Sequence, residues 1–206
     1  MQTCYRPYIE DDLDRCAALA AEAWPVASAI AGDIHSLMIA YVKLSLLFSD
    51  YSEVCCTDDQ VVGFLFGRTD KKFLSLRERF EFNKVSWGFL TGRYGTCKRR
   101  LRFGVSFIQT LTKVEFYGRR FDSEVELFVV GQEHRGQGIG QSLMNRFTGH
   151  LKQKNRKTLF VYTNMESNWT FYERYGFTKH RDFHDNNLSF LRGSKTCGYL
   201  YYYKLQ

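Results

Sequence analysis

The stretch that most constrains this chain runs from Val125 to Leu151. An apolar segment, Val125-Glu126-Leu127-Phe128-Val129-Val130, leads into His134-Arg135-Gly136-Gln137-Gly138-Ile139-Gly140-Gln141-Ser142. Leu143, Met144, Phe147 and Leu151 then recur at helical spacing. The apolar segment reads as a strand and the recurrence as a helix. Three alternating glycines make the turn between them. Such a turn aims several N–H groups at one place, and the helix N-terminus adds partial positive charge there. The natural guest is an anion with several phosphate oxygens, so the pattern predicts a site for a pyrophosphate-bearing cofactor. The competing reading is a tight connection with no ligand. Glycines inside a helix cost about 1 kcal/mol each relative to alanine, which favours the ligand.

Two familiar glycine turns do not fit. The dinucleotide fingerprint needs Gly-x-Gly-x-x-Gly early in a βαβ unit with an acidic residue closing the next strand. Here the order is Arg-Gly-x-Gly-x-Gly, late in the chain, with no acidic residue near position 160. A nucleotide phosphate loop needs Lys-Ser/Thr at the helix start, where Ile139-Gly140 stands.

The rest of the chain supplies further elements. Strands are expected over 5–9, 52–57, 60–67, 123–130, 157–163, 177–183 and 198–205, where apolar and β-branched residues run together. Helices are expected over 11–24, 34–48, 138–155 and 167–175, with Gly176 ending the last. That order implies one mixed α/β sheet with helices on both faces. A length of 206 residues suits a single domain, 1–206.

Charge is uneven. The net charge is +7, yet residues 70–121 hold thirteen Lys/Arg against four Asp/Glu, so the remainder is net negative. This basic insert carries helical patterns near 73–91 and 96–112. Lys98-Arg99-Arg100-Leu101-Arg102 and Arg119-Arg120 admit an anionic acceptor, nucleic acid or a membrane surface as partner. The alternative is the solvated face of helices whose Phe and Trp side packs down. The chain shows no apolar run long enough to span a bilayer and no signal peptide, and a cytoplasmic location is expected. The six cysteines lack metal-ligand spacing and read as free thiols packed as small apolar groups; no metal site is expected.

Downstream stand Asn164-Met165-Glu166-Ser167-Asn168-Trp169 and Phe171-Tyr172-Glu173-Arg174-Tyr175-Gly176-Phe177. With Arg135-Gly136-Gln137-Gly138-Ile139-Gly140, these segments make the chain resemble the GNAT superfamily of N-acetyltransferases, well over 120–183 and in outline over 1–68. The resemblance implies a single mixed, mostly antiparallel, twisted sheet with the insert between strands 3 and 4. It implies acetyl-CoA as co-substrate, held by Arg135, Gly136, Gln137, Gly138, Ile139, Gly140 and Gln141 at the pyrophosphate. The pantetheine arm would pair with backbone at Phe128, Val129 and Val130, where strand 4 parts from the next. Asn164 or Asn168 would bond the pantetheine, although Asn168 also suits a helix cap. Tyr172 would protonate the leaving thiolate as a general acid. Glu126, or Glu124 through water, would accept the amine proton. Both alternate on one face of the strand with Phe128, and the competing reading is a salt-bridged strand carboxylate. His134 is a weaker candidate base.

The expected reaction is transfer of an acetyl group to a small-molecule primary amine in a ternary complex. A non-catalytic acyl-CoA-binding module, with the basic insert meeting nucleic acid or a partner protein, is the alternative, as is acetylation of a peptide or protein amine. A homodimer is common in the resembled family.

Overall fold

The computed structural model describes residues 3–25, 33–70, 75–91 and 100–205. Seven strands form one sheet in the order β1-β2-β3-β4-β5-β7-β6. They are β1 Thr3–Pro7, β2 Tyr51–Thr57, β3 Gln60–Arg68, β4 Ser123–Val130, β5 Thr158–Asn164, β6 Thr178–His184 and β7 Cys197–Lys204. Every neighbouring pair is antiparallel except β4 with β5. Asp58 and Asp59 turn the β2–β3 hairpin, both at positive φ, as a two-residue connection requires.

Helices cover both faces. α1 (Leu13–Ala23) and α2 (Ile34–Phe48) pack through Leu19, Leu37, Met38 and Val42 onto Val54, Phe64, Phe66, Leu127 and Val129. α5 (Ile139–Gln153) and α6 (Thr170–Tyr175) lie on the opposite face. There Leu143, Met144, Phe147 and Tyr172 meet Leu65, Val125, Leu159, Val161 and Tyr201. Asp33 caps α2, its side chain accepting from the Ser36 amide at 3.2 Å. The short α7 (Asn186–Arg192) was not expected from sequence. Its Asp185 cap supplies the reason for it, accepting from the Leu188 amide at 2.9 Å.

The insert folds as two helices, α3 (Leu76–Thr91) and α4 (Arg100–Gly118). α4 lies on the α1/α2 face, where Val114 joins Phe160, Phe183 and Leu200 in a third apolar cluster. Gly118 admits this approach, since a Cβ there would meet the Phe160 ring at 2.4 Å. The expectation that the insert's Phe and Trp side packs down holds only in part. Val85 is buried and Phe82 meets Phe48 edge-on at 6.0 Å, but Phe80, Trp87, Ile108 and Phe116 are exposed. Cys16, Cys55 and Cys56 are buried as expected, whereas Cys4 and Cys197 are exposed; Cys97 lies outside the described residues.

One irregularity positions the site. β3 pairs Phe66 with Leu127 but Gly67 with Val125, so Glu126 is an extra residue in β4. A bulge of this kind breaks the two-residue alternation. Val125 packs on the α5 face, yet Leu127 and Val129 pack on the α1/α2 face. Phe128 therefore does not share a face with Glu124 and Glu126, contrary to the strict alternation read from sequence. It turns toward α5 and α6, its ring 5.3 Å from that of Phe171.

Candidate active site

β4 and β5 pair only through Ser123–Leu159, Glu124–Phe160 and Val125–Val161. Beyond Val125 the strands part, leaving edge groups unpaired in mid-sheet. The Gly131 amide donates to the Val62 carbonyl at 2.8 Å, on the β3 side. By the two-residue period, the amides of Phe128 and Val130 face the gap instead. The gap opens into a cleft of about 730 Å³ that reaches both faces of the sheet. Tyr41 from α2 and Tyr172 from α6, on opposite faces, both line it.

At one end of the cleft lies the glycine turn. Gly136 and Gly138 have φ of +79° and +81°, and a Cβ at either would meet nothing. Both glycines are thus required by backbone conformation and not by crowding. Gly140 differs: a Cβ there would sit 3.2 Å from Phe128 and 3.4 Å from Phe171. It lets α5 approach those rings. Gly138 is the N-cap of α5, so the amides of Ile139, Gly140 and Gln141 have no intrahelical acceptor and point out of the helix end. Arg135 donates through Nε to the Val130 carbonyl at 3.1 Å, which ties the turn to the end of β4. Gln137 bonds the Glu133 carbonyl at 3.2 Å, and the Ile139 side chain is buried in the core. Neither of those two residues lines the cleft.

The carboxylates lie on the α1/α2 face. Glu126 lines the cleft. Glu124 is buried against the Arg68 guanidinium, which also binds Glu126 at 3.2 Å and Glu115 of α4 at 2.8 Å. One cation thus faces three acids. Burial pushes the Glu126 carboxyl up to about 7, against the pull of Arg68, and pushes Glu124 up as well. The structure brings Glu126 to the cleft and keeps Glu124 behind it. Among the described residues, no side chain of α3 or α4 lines the cleft. Among the described residues of the insert, Glu115 is the one that reaches this ion cluster, through Arg68.

Tyr172 is buried, with rings of Phe171, Phe177 and Tyr201 around it. Burial raises its phenol above the ordinary value, so the phenol keeps its proton at neutral pH. Asn164 accepts through Oδ1 from the Glu166 amide at 3.0 Å and the Ser167 hydroxyl at 3.3 Å, ordering the turn after β5. Asn168 does not cap α6; its Oδ1 accepts from the Thr170 hydroxyl at 2.8 Å. Both asparagines and His134 line the cleft.

Sequence reasoning missed several lining residues. The Thr163 hydroxyl is buried with no partner among the described residues. An orphan hydroxyl of this kind suits an amide-bearing ligand laid against β5. Tyr41 and Tyr162 face the cleft from the α1/α2 side. Burial and the carboxylates of Glu126, Glu124 and Asp185 push the Tyr41 phenol up to about 12. Tyr162 donates to Asp185, which is fully buried. Trp24 donates to the Ser167 hydroxyl at 3.4 Å, joining the end of α1 to the turn after β5. No three His, Cys, Asp or Glu side chains cluster as a metal site among the described residues. None of their helices is long and apolar enough to cross a membrane.

A split mixed sheet with an amide-lined glycine turn at the split suits a ligand that joins a pyrophosphate to an extended, amide-bearing arm. Residues 106–179 match the family described as acetyltransferase (GNAT) domain. That match spans less than half of the chain, and the stretch is similar to an acetyltransferase (GNAT) domain. The chain's fold is similar to that of SsHAT, at 14% identity and TM-score 0.69, covering all of both chains. PH1933 from Pyrococcus horikoshii OT3 is similar at 15% identity and TM-score 0.62, covering 100% of this chain and 99% of that one. So is yncA from Salmonella typhimurium, solved with its cofactor acetyl-CoA, at 14% identity and TM-score 0.57, covering 99% and 94%. No curated protein sequence matches the chain significantly.

Proposed function

We propose that the chain transfers an acetyl group from acetyl-CoA to the primary amine of a small molecule, directly, in a ternary complex. The observation that carries this reading is the convergence of Glu126, Tyr172 and the glycine turn on one cleft between the parted strands. The orphan Thr163 hydroxyl and the gap-facing amides of Phe128 and Val130 suit the amides of a pantetheine arm. The amides of Ile139 to Gln141 and the positive-φ glycines suit a pyrophosphate.

Acetyl-CoA supplies a thioester carbon open to attack. Glu126 accepts the proton of the incoming ammonium, directly or through water, so that the amine attacks as a neutral group. The C–N bond forms and the C–S bond breaks. The Val130 amide, facing the gap, lies where it can offset negative charge on the acetyl oxygen. Tyr172 donates its proton to the leaving sulfur; the second proton that the nitrogen loses on becoming an amide returns through water to the tyrosinate, and Glu126 releases the first to solvent. No cysteine is needed as a nucleophile. The test is release of free thiol from acetyl-CoA in the presence of a panel of amines and peptides. Release with small amines is expected; release with peptides alone would contradict the small-molecule acceptor.

A further inference from the structure

Two thiols face each other at the edge of the sheet, outside the cleft. β1 pairs with β2 in antiparallel register, and Cys4 lies directly across from Cys56. Directly opposite residues share one face of a sheet. Here that is the α1/α2 face, since Cys56 belongs to the apolar cluster of Cys16, Leu19, Val54 and Phe64. The Tyr8 amide donates to the Ser52 carbonyl at 3.1 Å, so those opposed residues form a hydrogen-bonded pair. Pro7, with no amide to give, stands opposite Glu53 at the next, non-hydrogen-bonded position. Counting back by twos from Tyr8 makes Cys4–Cys56 a hydrogen-bonded pair as well.

The spacing suits a bond between the sulfurs. Such a pair sets its Cα atoms about 5.5 Å apart, inside the range of about 4.4–6.8 Å that a disulfide spans. Opposite Cβ atoms lie about 4.5–5.5 Å apart in a sheet, against about 3.5–4.5 Å in a disulfide. Closing that gap asks roughly 1 Å of β1, an edge strand bonded on one side only. The two thiols differ in access: Cys4 is exposed, and Cys56 is 2% exposed. Burial pushes the Cys56 thiol up against the pull of Arg6, and the Cys4 thiol lies within its hydrogen-bond reach. Arg6 follows Cys4 by two residues along β1, on the same face. Cys55, although adjacent in sequence, turns to the α5 face opposite Tyr5. Among the described residues, no other strand pairing sets two cysteines opposite each other.

We propose that Cys4 and Cys56 form a redox-active dithiol, a modification site that takes low-molecular-weight disulfides as oxidant. The Cys4 thiolate attacks one sulfur of the oxidant, whose S–S bond breaks; a mixed disulfide forms on Cys4 and one small thiol leaves. The Cys56 thiolate then attacks the Cys4 sulfur, the Cys4–Cys56 bond forms and the second small thiol leaves. The two protons of the protein thiols end on the two released thiols. The protein gives up two electrons and the oxidant accepts them. Exposure makes Cys4 the entry point, and Cys56 resolves the adduct from beneath. Neither cysteine lines the cleft, so the site stands apart from acetyl transfer.

The test uses glutathione disulfide on the full chain carrying Cys97→Ser and Cys197→Ser, which leaves Cys4 as the exposed thiol among the described residues. Intact mass, a thiol count under denaturing conditions and a peptide map read the product. The expected product is a monomer lighter by two hydrogens, with two thiols fewer and its Cys4 and Cys56 peptides joined; dithiothreitol should restore both thiols. Adding Cys56→Ser should halt the reaction at one glutathione on Cys4, and adding Cys4→Ser should leave Cys56 unmodified. The oxidised protein should melt in one transition no lower than the reduced protein, because the link restricts the unfolded chain. A stable glutathione adduct on Cys4 while Cys56 is present, a link to Cys16, a disulfide-joined dimer or no loss of thiols overturns the inference. So does a melting transition lowered by oxidation, which would show that the link does not fit the native pairing of β1 with β2.

Discussion

At the scale of single residues, the account turns on two proton-handling groups whose pKa values the same cause shifts upward. Burial favours the neutral form of both. For Tyr172 the neutral form is the acid that the leaving thiolate requires. For Glu126 the shift to about 7 leaves the carboxylate available at and above neutrality, basic enough to take an ammonium proton. The sign follows: kcat/KM should fall as pH drops through about 7, because protonated Glu126 accepts nothing. Glu126→Gln should lower the rate and abolish that limb of the pH profile. Tyr172→Phe should lower kcat about 100-fold, within the range of general acid catalysis, while acetyl-CoA affinity by calorimetry stays within about twofold. Arg68 carries a structural burden of a different kind. Arg68→Met leaves buried carboxylates unpaired and should destabilise the fold by about 3–5 kcal/mol, read as a lower denaturant midpoint. That loss should shrink at acid pH, where the carboxyls are protonated.

At the scale of elements, the strand–turn–helix from β4 to α5 was the most legible part of the chain. β4 occupies Ser123–Val130 and α5 begins at Ile139, as the apolar pattern and the glycines indicate. α2 was equally plain, because Leu37, Met38, Tyr41 and Phe48 recur at helical spacing over Ile34–Phe48. The bulge at Glu126 was not legible. It arises from the register of β3 against β4, and no local residue pattern announces a two-against-one pairing. Its consequence was misread in turn, since strict alternation put Phe128 beside the acids. Tyr41, Tyr162 and Asp185 were missed for a related reason: they come from α2, β5 and the α7 cap, and only the tertiary fold gathers them. The glycines give sharp expectations. Gly138→Val must adopt a positive φ, at a cost of about 1–2 kcal/mol, and should weaken acetyl-CoA binding by calorimetry. Gly67→Ala places a Cβ 2.2 Å from the buried Phe147 ring and should lower the melting temperature without touching the cleft.

At the scale of the whole molecule, the fold divides labour between the two faces of one sheet. α5 and α6 back the side proposed for the cofactor, and α1, α2, α4 and α7 back the side proposed for the acceptor. The two meet at the cleft where β4 and β5 part. The basic insert packs through α4 against β5, β6 and β7 and reaches the acids by Glu115. Charge composition identified the insert but gave no direction for its faces, and Trp87, Ile108 and Phe116 stand exposed where packing was expected. Because both halves of the cleft are built on this one sheet, acetyl-CoA should stabilise the whole fold: at a hundredfold excess over its dissociation constant, by about 2.7 kcal/mol.

The most direct measurement of the central claim is calorimetric titration of the native chain with acetyl-CoA, paired with the same titration of Gly138→Val. The native protein should bind one equivalent with a negative heat-capacity change, and the variant should bind far more weakly. Absence of binding heat at several temperatures, or equal binding by both proteins, would contradict a pyrophosphate held on the amides at the start of α5.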